Sequence, residues 1–276
     1  DLSGSSLINS GTISATANAS NDASAYGVYV SGDLTGLLNN TSTGTISATA
    51  NNTSGNHDVA SAYGVYVDDI AVTGTLTNSG TISATATATG SHAYAYAYGV
   101  YVNNDIAAGG TLSNSGTISA SAFNTGTSAA HEASAYGVFI SNLLGTLDNS
   151  GTISASATGY SSAYAYGVYV SGNLSGSSLI NSGTIVASAS GASGDNSNPL
   201  AYAYGVYVGG NLNGLLSNTS TGSITATATS TTPSSAYAYG VYAATLDGTL
   251  DNSGTISGTA DLAGQGYSVY ASAGSG

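Results

Sequence analysis

Three histidines are the first side chains in this sequence whose type could do chemistry. His57, His92 and His131 fall in the variable loops of consecutive copies of a repeated unit, where stacking could gather them around a metal ion. Structural metal sites need three or four ligands. Because the residues that flank the three histidines share no spacing, we expect solvated loop histidines and no metal site.

A row of acidic and amide residues recurs shortly after a repeated Tyr-Val stretch. Its members are Asp33, Asp69, Asp105, Asn173 and Asn211. Side chains of this type accept hydrogen bonds from nearby backbone amides and so close corners of the chain. Calcium-binding repeats of the Gly-Gly-x-Gly-x-Asp kind are missing. We therefore expect no cofactor and no metal ion, with calcium on this row as the alternative.

Catalytic chemistry has few candidate groups in this chain. An active site needs groups with tuned pKa values in mutual reach. The sequence has no Lys or Arg, Glu132 is its one glutamate, and no Ser-His-Asp arrangement, phosphate loop or acid pair stands out. A lyase or glycosidase cleft would need clustered acids or cations. The sequence therefore predicts no catalytic residues, no cofactor-binding residues and a protein that is not an enzyme.

The charge balance argues against two classes of partner. The 276 residues carry a formal net charge of -13, and only 5% are charged. Without cations the chain cannot neutralise phosphates, so we expect no nucleic-acid binding and no attraction to anionic lipid. No apolar run approaches the ~20 residues of a membrane helix, so we expect no membrane insertion of this segment.

One repeated unit must position all of these side chains. The motif Gly-Thr-Ile-Ser-Ala or a close variant of it occurs eight times, and a form of Tyr-Gly-Val-Tyr-Val follows each copy. A period of roughly 35 residues is typical of solenoids and other arrays. We predict an all-β parallel β-helix (β-solenoid) with about eight coils, and two short coils per unit are the alternative. The motif opens at Gly11, Gly44, Gly80, Gly116, Gly151, Gly183, Gly222 and Gly254.

A single repeat array is predicted to cover residues 1–276. The text from Leu2 to Ile13 returns unchanged from Leu174 to Ile185, which indicates that blocks of units were duplicated. We expect the array to be part of a longer one. The predicted coils lie near residues 1–32, 33–69, 70–105, 106–142, 143–172, 173–210, 211–245 and 246–276.

Two alternating runs in the third unit predict which side chains face the core. Ile82, Ala84, Ala86 and Ala88 alternate with Thr81, Ser83, Thr85 and Thr87. Period two is typical of a strand, here with Ile and Ala inward and the hydroxyls outward. In the Tyr-Val run we favour Tyr98, Val100 and Val102 inward against the alanines and Tyr101 outward, and the reverse stays open. Gly99 suggests a bulge or a close backbone approach.

Three stacked arrays follow from the repeat. Asn and Gly tolerate left-handed backbone angles, so Asn-Ser-Gly is a tight corner, and its asparagines should form a structural ladder. Thr and Ser rows would form a flat hydroxyl array that resembles those of ice-binding solenoids. Outward aromatic residues could stack on sugars or on another fibre. The predicted ladder comprises Asn9, Asn78, Asn114, Asn149, Asn181 and Asn252, and the aromatic stripe comprises Tyr29, Tyr66, Tyr101, Phe139, Tyr169, Tyr207 and Tyr242.

Tandem Leu-x-Asn-Ser-Gly-Thr-Ile units make nearly the whole chain resemble the passenger regions of bacterial autotransporters and related giant surface adhesins. The resemblance implies export, a right-handed parallel β-helix and display at the bacterial cell surface or outside the cell. The expected function is structural: a surface adhesin stalk or a self-assembling extracellular fibre. The expected partners are other copies in head-to-tail contact, or a host or biofilm surface. The alternative function is a solenoid that presents its Thr/Ser array to ice or its Tyr stripe to glycans.

Overall fold

The chain folds as an all-β solenoid of stacked parallel coils. The computed structural model describes residues 2–53, 58–90, 92–126, 132–192, 199–231, 235–261 and 264–273. In these ranges every regular element is a strand, and none of them contains a helix that could cross a membrane. About seven turns of roughly 35 residues stack along the axis, which confirms the predicted fold class and is close to the predicted eight coils.

Each coil carries up to three strands. The first, which we call the leucine strand, ends in Leu-x-Asn or Leu-Ile-Asn. A Ser-Gly or longer corner connects it to the threonine strand, which begins with Thr-Ile or Ser-Ile. The leucine strands are β1 (Ser6–Asn9), β4 (Leu37–Asn40), β7 (Thr75–Asn78), β10 (Thr111–Asn114), β13 (Thr146–Asn149), β16 (Leu174–Asn181) and β21 (Thr249–Asn252). The threonine strands are β2 (Thr12–Ala19), β5 (Thr45–Asn52), β8 (Thr81–Ala88), β11 (Thr117–Asn124), β14 (Thr152–Gly159), β17 (Thr184–Gly191), β19 (Ser223–Ser230) and β22 (Thr255–Ala260).

The third strand of each coil, the tyrosine strand, contains the Tyr-Gly-Val motif or its variant. One of these strands, β18, continues through the next corner and also serves as the leucine strand of the following coil. The tyrosine strands are β3 (Ala23–Val30), β6 (Val59–Val67), β9 (Tyr94–Ile106), β12 (Glu132–Leu143), β15 (Ser162–Val170), β18 (Leu200–Asn218), β20 (Ala236–Leu246) and β23 (Gln265–Ala273).

Strands of one class pair with the same class in the next coil. The eight threonine strands form one sheet in sequence order, and the tyrosine and leucine strands join into a 15-stranded sheet. Pairing is parallel and residue to residue: Ile118 lies opposite Ile82 on one side and Ile153 on the other. Equivalent side chains therefore repeat along the axis at the spacing of neighbouring strands, ~4.8 Å.

The core has a broad part and a thin part. Leucine, isoleucine and valine fill the broad part, where Leu76, Ile82 and Val100 are fully buried. The thin part is a layer of alanines, among them Ala86 and Ala97, between the threonine and tyrosine strands. Small side chains on both sheets let the two backbones approach closely at native packing density.

The predicted inward position of Tyr98 is wrong, whereas Val100 and Val102 are inward and Tyr101 is outward as predicted. Gly99 and Val100 are buried in succession, while Tyr98 and Tyr101 are both half-buried on the outer face. The alternation therefore changes phase at the glycine, and strict period two carried back from Val100 placed Tyr98 on the wrong face. Alanine, not tyrosine, packs against the alanines of the threonine strand.

Gly99 makes the close backbone approach that the sequence suggested. A Cβ atom there would lie 2.6 Å from the Gly137 carbonyl oxygen and 2.6 Å from Ile118 Cγ2. The missing side chain lets the isoleucine of the next coil reach the tyrosine strand. The glycine thus sets both the phase change and the packing of the broad core.

Candidate functional site

The outer face of the tyrosine strands is an aromatic surface. It holds every tyrosine of the chain except Tyr160, and Phe139 joins it. Rings of successive coils stack in two rows, which we call the aromatic double ladder. The first row is Tyr26, Tyr63, Tyr98, Tyr136, Tyr166, Tyr204, Tyr239 and Tyr267, and the second is Tyr29, Tyr66, Tyr101, Phe139, Tyr169, Tyr207, Tyr242 and Tyr270.

Ring contacts in the double ladder are regular. Tyr98 stacks on Tyr136 with centroids 4.8 Å apart and planes inclined by 6°. In the second row Tyr101 stacks on Phe139 at 4.6 Å. Within one coil the two rows meet edge to face, as Tyr98 and Tyr101 do at 4.9 Å and 81°. Offset-stacked and edge-to-face pairs are the favoured aromatic arrangements.

The structure settles the orientation of the predicted stripe and adds a second row beside it. All seven stripe residues point outward, and Tyr270 extends their row. The first row was missed because strict alternation assigned its tyrosines to the core. The recurring Tyr-Gly dipeptide was the available signal, since a glycine inside a strand can shift the alternation.

Stacking also decides what the double ladder can offer a ligand. The faces of the inner rings are covered by their neighbours in the same row, as the centroid distance of 5.0 Å between Tyr136 and Tyr166 indicates. The half-buried inner rings therefore present edges to solvent, and not open faces. A sugar that stacks on an aromatic face would have to separate two rings, which disfavours the glycan alternative.

Burial raises the pKa of the stacked phenols. The pKa of Tyr98 and of Tyr166 lies well above the ordinary value, first because of desolvation and then because of neighbouring tyrosines. For Tyr96 burial, followed by the nearby Glu132 carboxylate, raises the pKa to about 12. These phenols are therefore neutral near pH 7, and the aromatic surface bears little charge.

The corner asparagines form a ladder with eight members, of which all but Asn252 are buried. Each Nδ2 group from Asn9 to Asn218 donates to the Oδ1 atom of the asparagine in the next coil, at 2.8–2.9 Å, and Asn252 is the last acceptor. The structure brings the six predicted residues together and adds Asn40 and Asn218. These two were missed because their corners read Asn-Thr-Ser-Thr-Gly. The shared Leu-x-Asn spacing was the signal that could have found them.

A second row of Asx residues lies at the end of the tyrosine strands. Asp69 Oδ1 accepts from the Asp105 amide at 2.9 Å, and Asp105 Oδ1 accepts from Asn142 Nδ2 at 2.9 Å. Asn142 Oδ1 then accepts from the Asn173 amide at 3.0 Å, and Asn173 Oδ1 accepts from the Asn211 amide at 2.8 Å. Asn142 was not in the predicted row, although Asn142-Leu143 stands where Asp105-Ile106 stands one coil earlier.

Three carboxylates at this corner could hold a cation. One oxygen each of Asp33, Asp68 and Asp69 lie within 4.8 Å of one another. Amide donors already use this corner, because Asn103 Nδ2 donates to Asp68 Oδ1 at 2.8 Å. Asp105 was predicted in the same row. It forms hydrogen bonds with Asp69 and Asn142 along the second Asx row and is not one of the three clustered carboxylates.

The histidines are described for one position only. His92 lies just before β9 with a positive φ of 67°. His57 and His131 lie outside the described residues, so the structure does not show whether the three come together. The neighbouring Glu132 accepts a hydrogen bond from Ser134 Oγ at 2.7 Å.

The outer face of the threonine strands is a flat hydroxyl surface. Its rows are in register, with Thr81 opposite Thr45 and Thr117, and Ser83 opposite Ser47 and Ser119. The outward residues of these strands are Thr, Ser or Asn apart from Val186 and Phe123, and none is acidic. The face therefore repeats hydroxyls at ~4.8 Å between coils and ~6.7 Å along each strand.

No family model matches the chain, and no curated protein or solved structure matches it either.

Proposed function

We propose that the chain is a segment of a rigid, non-enzymatic structural rod that acts outside the cell, as an adhesin stalk or an extracellular fibre. The observation that carries the proposal is the continuity of the ladders. The asparagine ladder links every leucine strand from Asn9 to Asn252, and the double ladder spans all eight tyrosine strands. Each coil is thus bonded to its neighbours by backbone, amide and ring contacts at once.

Such a construction favours a mechanical role. A solenoid has stability terms that add coil by coil, since each repeat contacts only its neighbours. The asparagine side chains of the corners are committed to these contacts, and the sequence has no Lys or Arg to complement its acidic residues in acid–base chemistry. Low charge density also limits repulsion between coils.

The asparagine ladder has a polarity that suits head-to-tail association. At one end Asn9 Oδ1 accepts from the Gly11 amide at 3.3 Å, and among the described residues no asparagine donates to it. At the other end Asn252 Nδ2 donates to the Gly254 carbonyl at 3.3 Å, and within the described ranges it has no onward amide acceptor of the kind that inner ladder members have. A further coil, in the same chain or in a second copy, would continue the ladder. Contacts of this kind do not close and produce filaments.

Electron microscopy combined with sedimentation of the purified chain tests this proposal. We expect narrow rods, and a sedimentation coefficient that rises with protein concentration and with salt, because salt screens the net negative charge. Asn252→Asp should weaken association, whereas Thr117→Asp, which adds the same charge on the outer face far from both ends, should leave it unchanged. Rods that stay monomeric at high protein and salt concentration would exclude the self-assembling fibre and remain compatible with an adhesin stalk. Flexible or globular particles would exclude both.

The hydroxyl surface favours a second candidate, the binding of ordered water or ice. The observation is the in-register Thr and Ser rows on a face without acidic residues. Measurement of thermal hysteresis and of ice recrystallisation checks it. Loss of the effect in Thr85→Lys, with retention in Thr77→Lys on the leucine strands, would support this candidate. The absence of any effect in the native chain would exclude it.

A further inference from the structure

The aromatic double ladder gives the chain an unbroken path of oxidisable rings along its axis. Between neighbouring coils the stacked centroids are 4.6–5.2 Å apart in both rows. Edge-to-face contacts such as Tyr166–Tyr169 at 4.8 Å connect the rows within a coil. Every inner ring therefore touches rings in both directions along the rod.

The composition leaves tyrosine as the main acceptor of oxidative damage. The chain contains no Cys, no Met and no Trp, which are the side chains that otherwise compete for one-electron oxidants or oxygen donors. A phenol that has lost an electron can therefore regain one most readily from a neighbouring phenol. Because the rings are chemically alike, transfer from one to the next is close to isoenergetic.

We propose that the double ladder is a relay that carries one-electron oxidation along the rod. A one-electron oxidant at the surface, such as a peroxide-activated haem or an excited metal complex, removes an electron from one phenol, and the proton passes to water. In each hop the next phenol gives one electron to the phenoxyl radical, and one proton moves between the two hydroxyls through surface water. The relay ends when a reductant in solution returns one electron and water returns the proton.

Burial of the rings is consistent with this role. It raises the pKa of phenols such as Tyr98, so they keep their protons at rest and oxidation must proceed with proton release. The rings lie on the outer face of the tyrosine strands and stay partly exposed, which leaves the proton a route to solvent. Stacked faces exclude bulky reductants from the inner rings.

The path of stacked phenols is narrowest at β12. In the second row Phe139 replaces tyrosine, and β12 has Tyr136 as its single tyrosine. Tyr136 lies between Tyr98 at 4.8 Å and Tyr166 at 5.0 Å, so it is the sole phenol link across this coil. A Tyr136→Phe substitution would leave two phenylalanines there and divide the path into a near half (Tyr26 to Tyr101) and a far half (Tyr166 to Tyr270).

The experiment starts oxidation at one end of the rod and identifies the tyrosines that become oxidised. Ser24 is exposed on β3 beside Tyr26, and Ser24→Cys creates the only thiol in the chain for attachment of a ruthenium photo-oxidant. The chain is illuminated at high dilution with a nitroso spin trap and a dissolved electron acceptor, which takes one electron from the excited ruthenium complex and so forms the oxidant. Adducts are then located by peptic digestion and mass spectrometry. An equal amount of ¹⁵N-enriched chain without the ruthenium complex is added to the same tube. Adducts on this chain report oxidation that passes between molecules.

We expect adducts in both halves of the labelled native chain and none on the ¹⁵N chain. Tyr136→Phe should reduce far-half adducts to the level of the ¹⁵N chain and leave near-half adducts in place. The double variant Tyr136→Phe/Phe139→Tyr restores a phenol to that coil and should restore far-half adducts. Tyr204→Phe, which leaves Tyr202 and Tyr207 in its coil, should preserve adducts beyond it.

Two results would overturn the relay. Adducts confined to the coil of attachment in the native chain would show that holes do not move along the rows. Far-half adducts that persist unchanged in Tyr136→Phe would show that oxidation reaches those rings by another route. Thermal melts followed by circular dichroism show whether each variant is folded, so that a loss of far-half adducts can be distinguished from unfolding.

Discussion

Asn78 Nδ2 donates a hydrogen bond to Asn114 Oδ1 at 2.8 Å, and both side chains are at most 1% exposed. The same amide group donates to the carbonyls of Gly80 at 3.3 Å and Thr117 at 3.0 Å. One side chain therefore bonds to its own corner, to the next corner and to the next asparagine. Buried polar groups that are fully bonded in this way rigidify a fold.

Removal of one member should damage two junctions of the ladder. Asn114→Ala leaves Asn149 Oδ1 without its Asn114 donor and deprives Asn78 Nδ2 of its amide acceptor. Asn78 Nδ2 keeps its two backbone carbonyl acceptors, so Asn149 Oδ1 is the buried atom left unsatisfied, at a cost of about 1–3 kcal/mol. Chemical denaturation should show a loss in this range, and the exposed Asn213→Ala serves as the control. Equal stability of the two variants would mean that the ladder does not hold the coils.

The two faces of a threonine strand should respond differently to a charge. Ile118 is fully buried, whereas its neighbour Thr117 is half-buried on the outer face. An unpaired charge in the core is among the most costly substitutions, above about 4 kcal/mol. Ile118→Asp should abolish or strongly lower the thermal transition, and Thr117→Asp should change it little. A similar loss in both would contradict the assignment of the faces.

A methyl group at Gly99 should be destabilising. It would overlap the Gly137 carbonyl and Ile118 Cγ2. Overpacking of this kind costs about 1–3 kcal/mol. Gly11→Ala is a matched control, because nothing lies within 4 Å of a Cβ atom at that glycine. Thermal melts that rank the two variants in the opposite order would show that the phase change does not depend on this contact.

Alkaline pH should weaken the fold through the aromatic surface. Burial and the Glu132 carboxylate raise the pKa of Tyr96 from 10.0 to about 12. Because the folded pKa exceeds the unfolded one, the contribution is fully present below pH 10.0 and is lost as pH rises through about 12. Spectrophotometric phenol titration and melts over this interval measure the effect. Phenols that all titrate at the ordinary value, without loss of stability, would refute it.

Metal ions should be dispensable for folding. The carboxylates of Asp68 and Asp69 already accept hydrogen bonds from asparagine amides, so the corner closes without a cation. Addition of a chelator should leave the melting temperature unchanged, and so should Asp33→Asn. A large decrease with the chelator that Asp33→Asn reproduces would instead identify Asp33, Asp68 and Asp69 as calcium ligands.

Much of the fold was predictable because the repeat imposes register. Once Ile82 and Ile118 occupy the same place in two copies, stacking follows, and alternation places Thr and Ser outward. The position of Tyr98 was not predictable in the same way, because a single glycine reverses the phase of the strand. Asn40 and Asn142 were missed because the amino-acid sequences of their corners differ from those of the predicted residues, although their backbone positions in the coil are equivalent. What the stacked arrays bind depends on exposed faces and partners, which periodicity does not encode.

The stack of coils itself can be measured most directly by spin-label distances. The chain has no Cys, so Ser47→Cys/Ser154→Cys and Ser47→Cys/Ser257→Cys each take two labels without background. Ser47, Ser154 and Ser257 occupy one outward row, three and six sheet positions apart in the order β5-β8-β11-β14-β17-β19-β22. At ~4.8 Å per strand the backbone separations are ~14 Å and ~29 Å, so the distance should double between the pairs with a narrow distribution. Equal, shorter or broad distances for the longer pair would contradict a rigid rod of in-register coils.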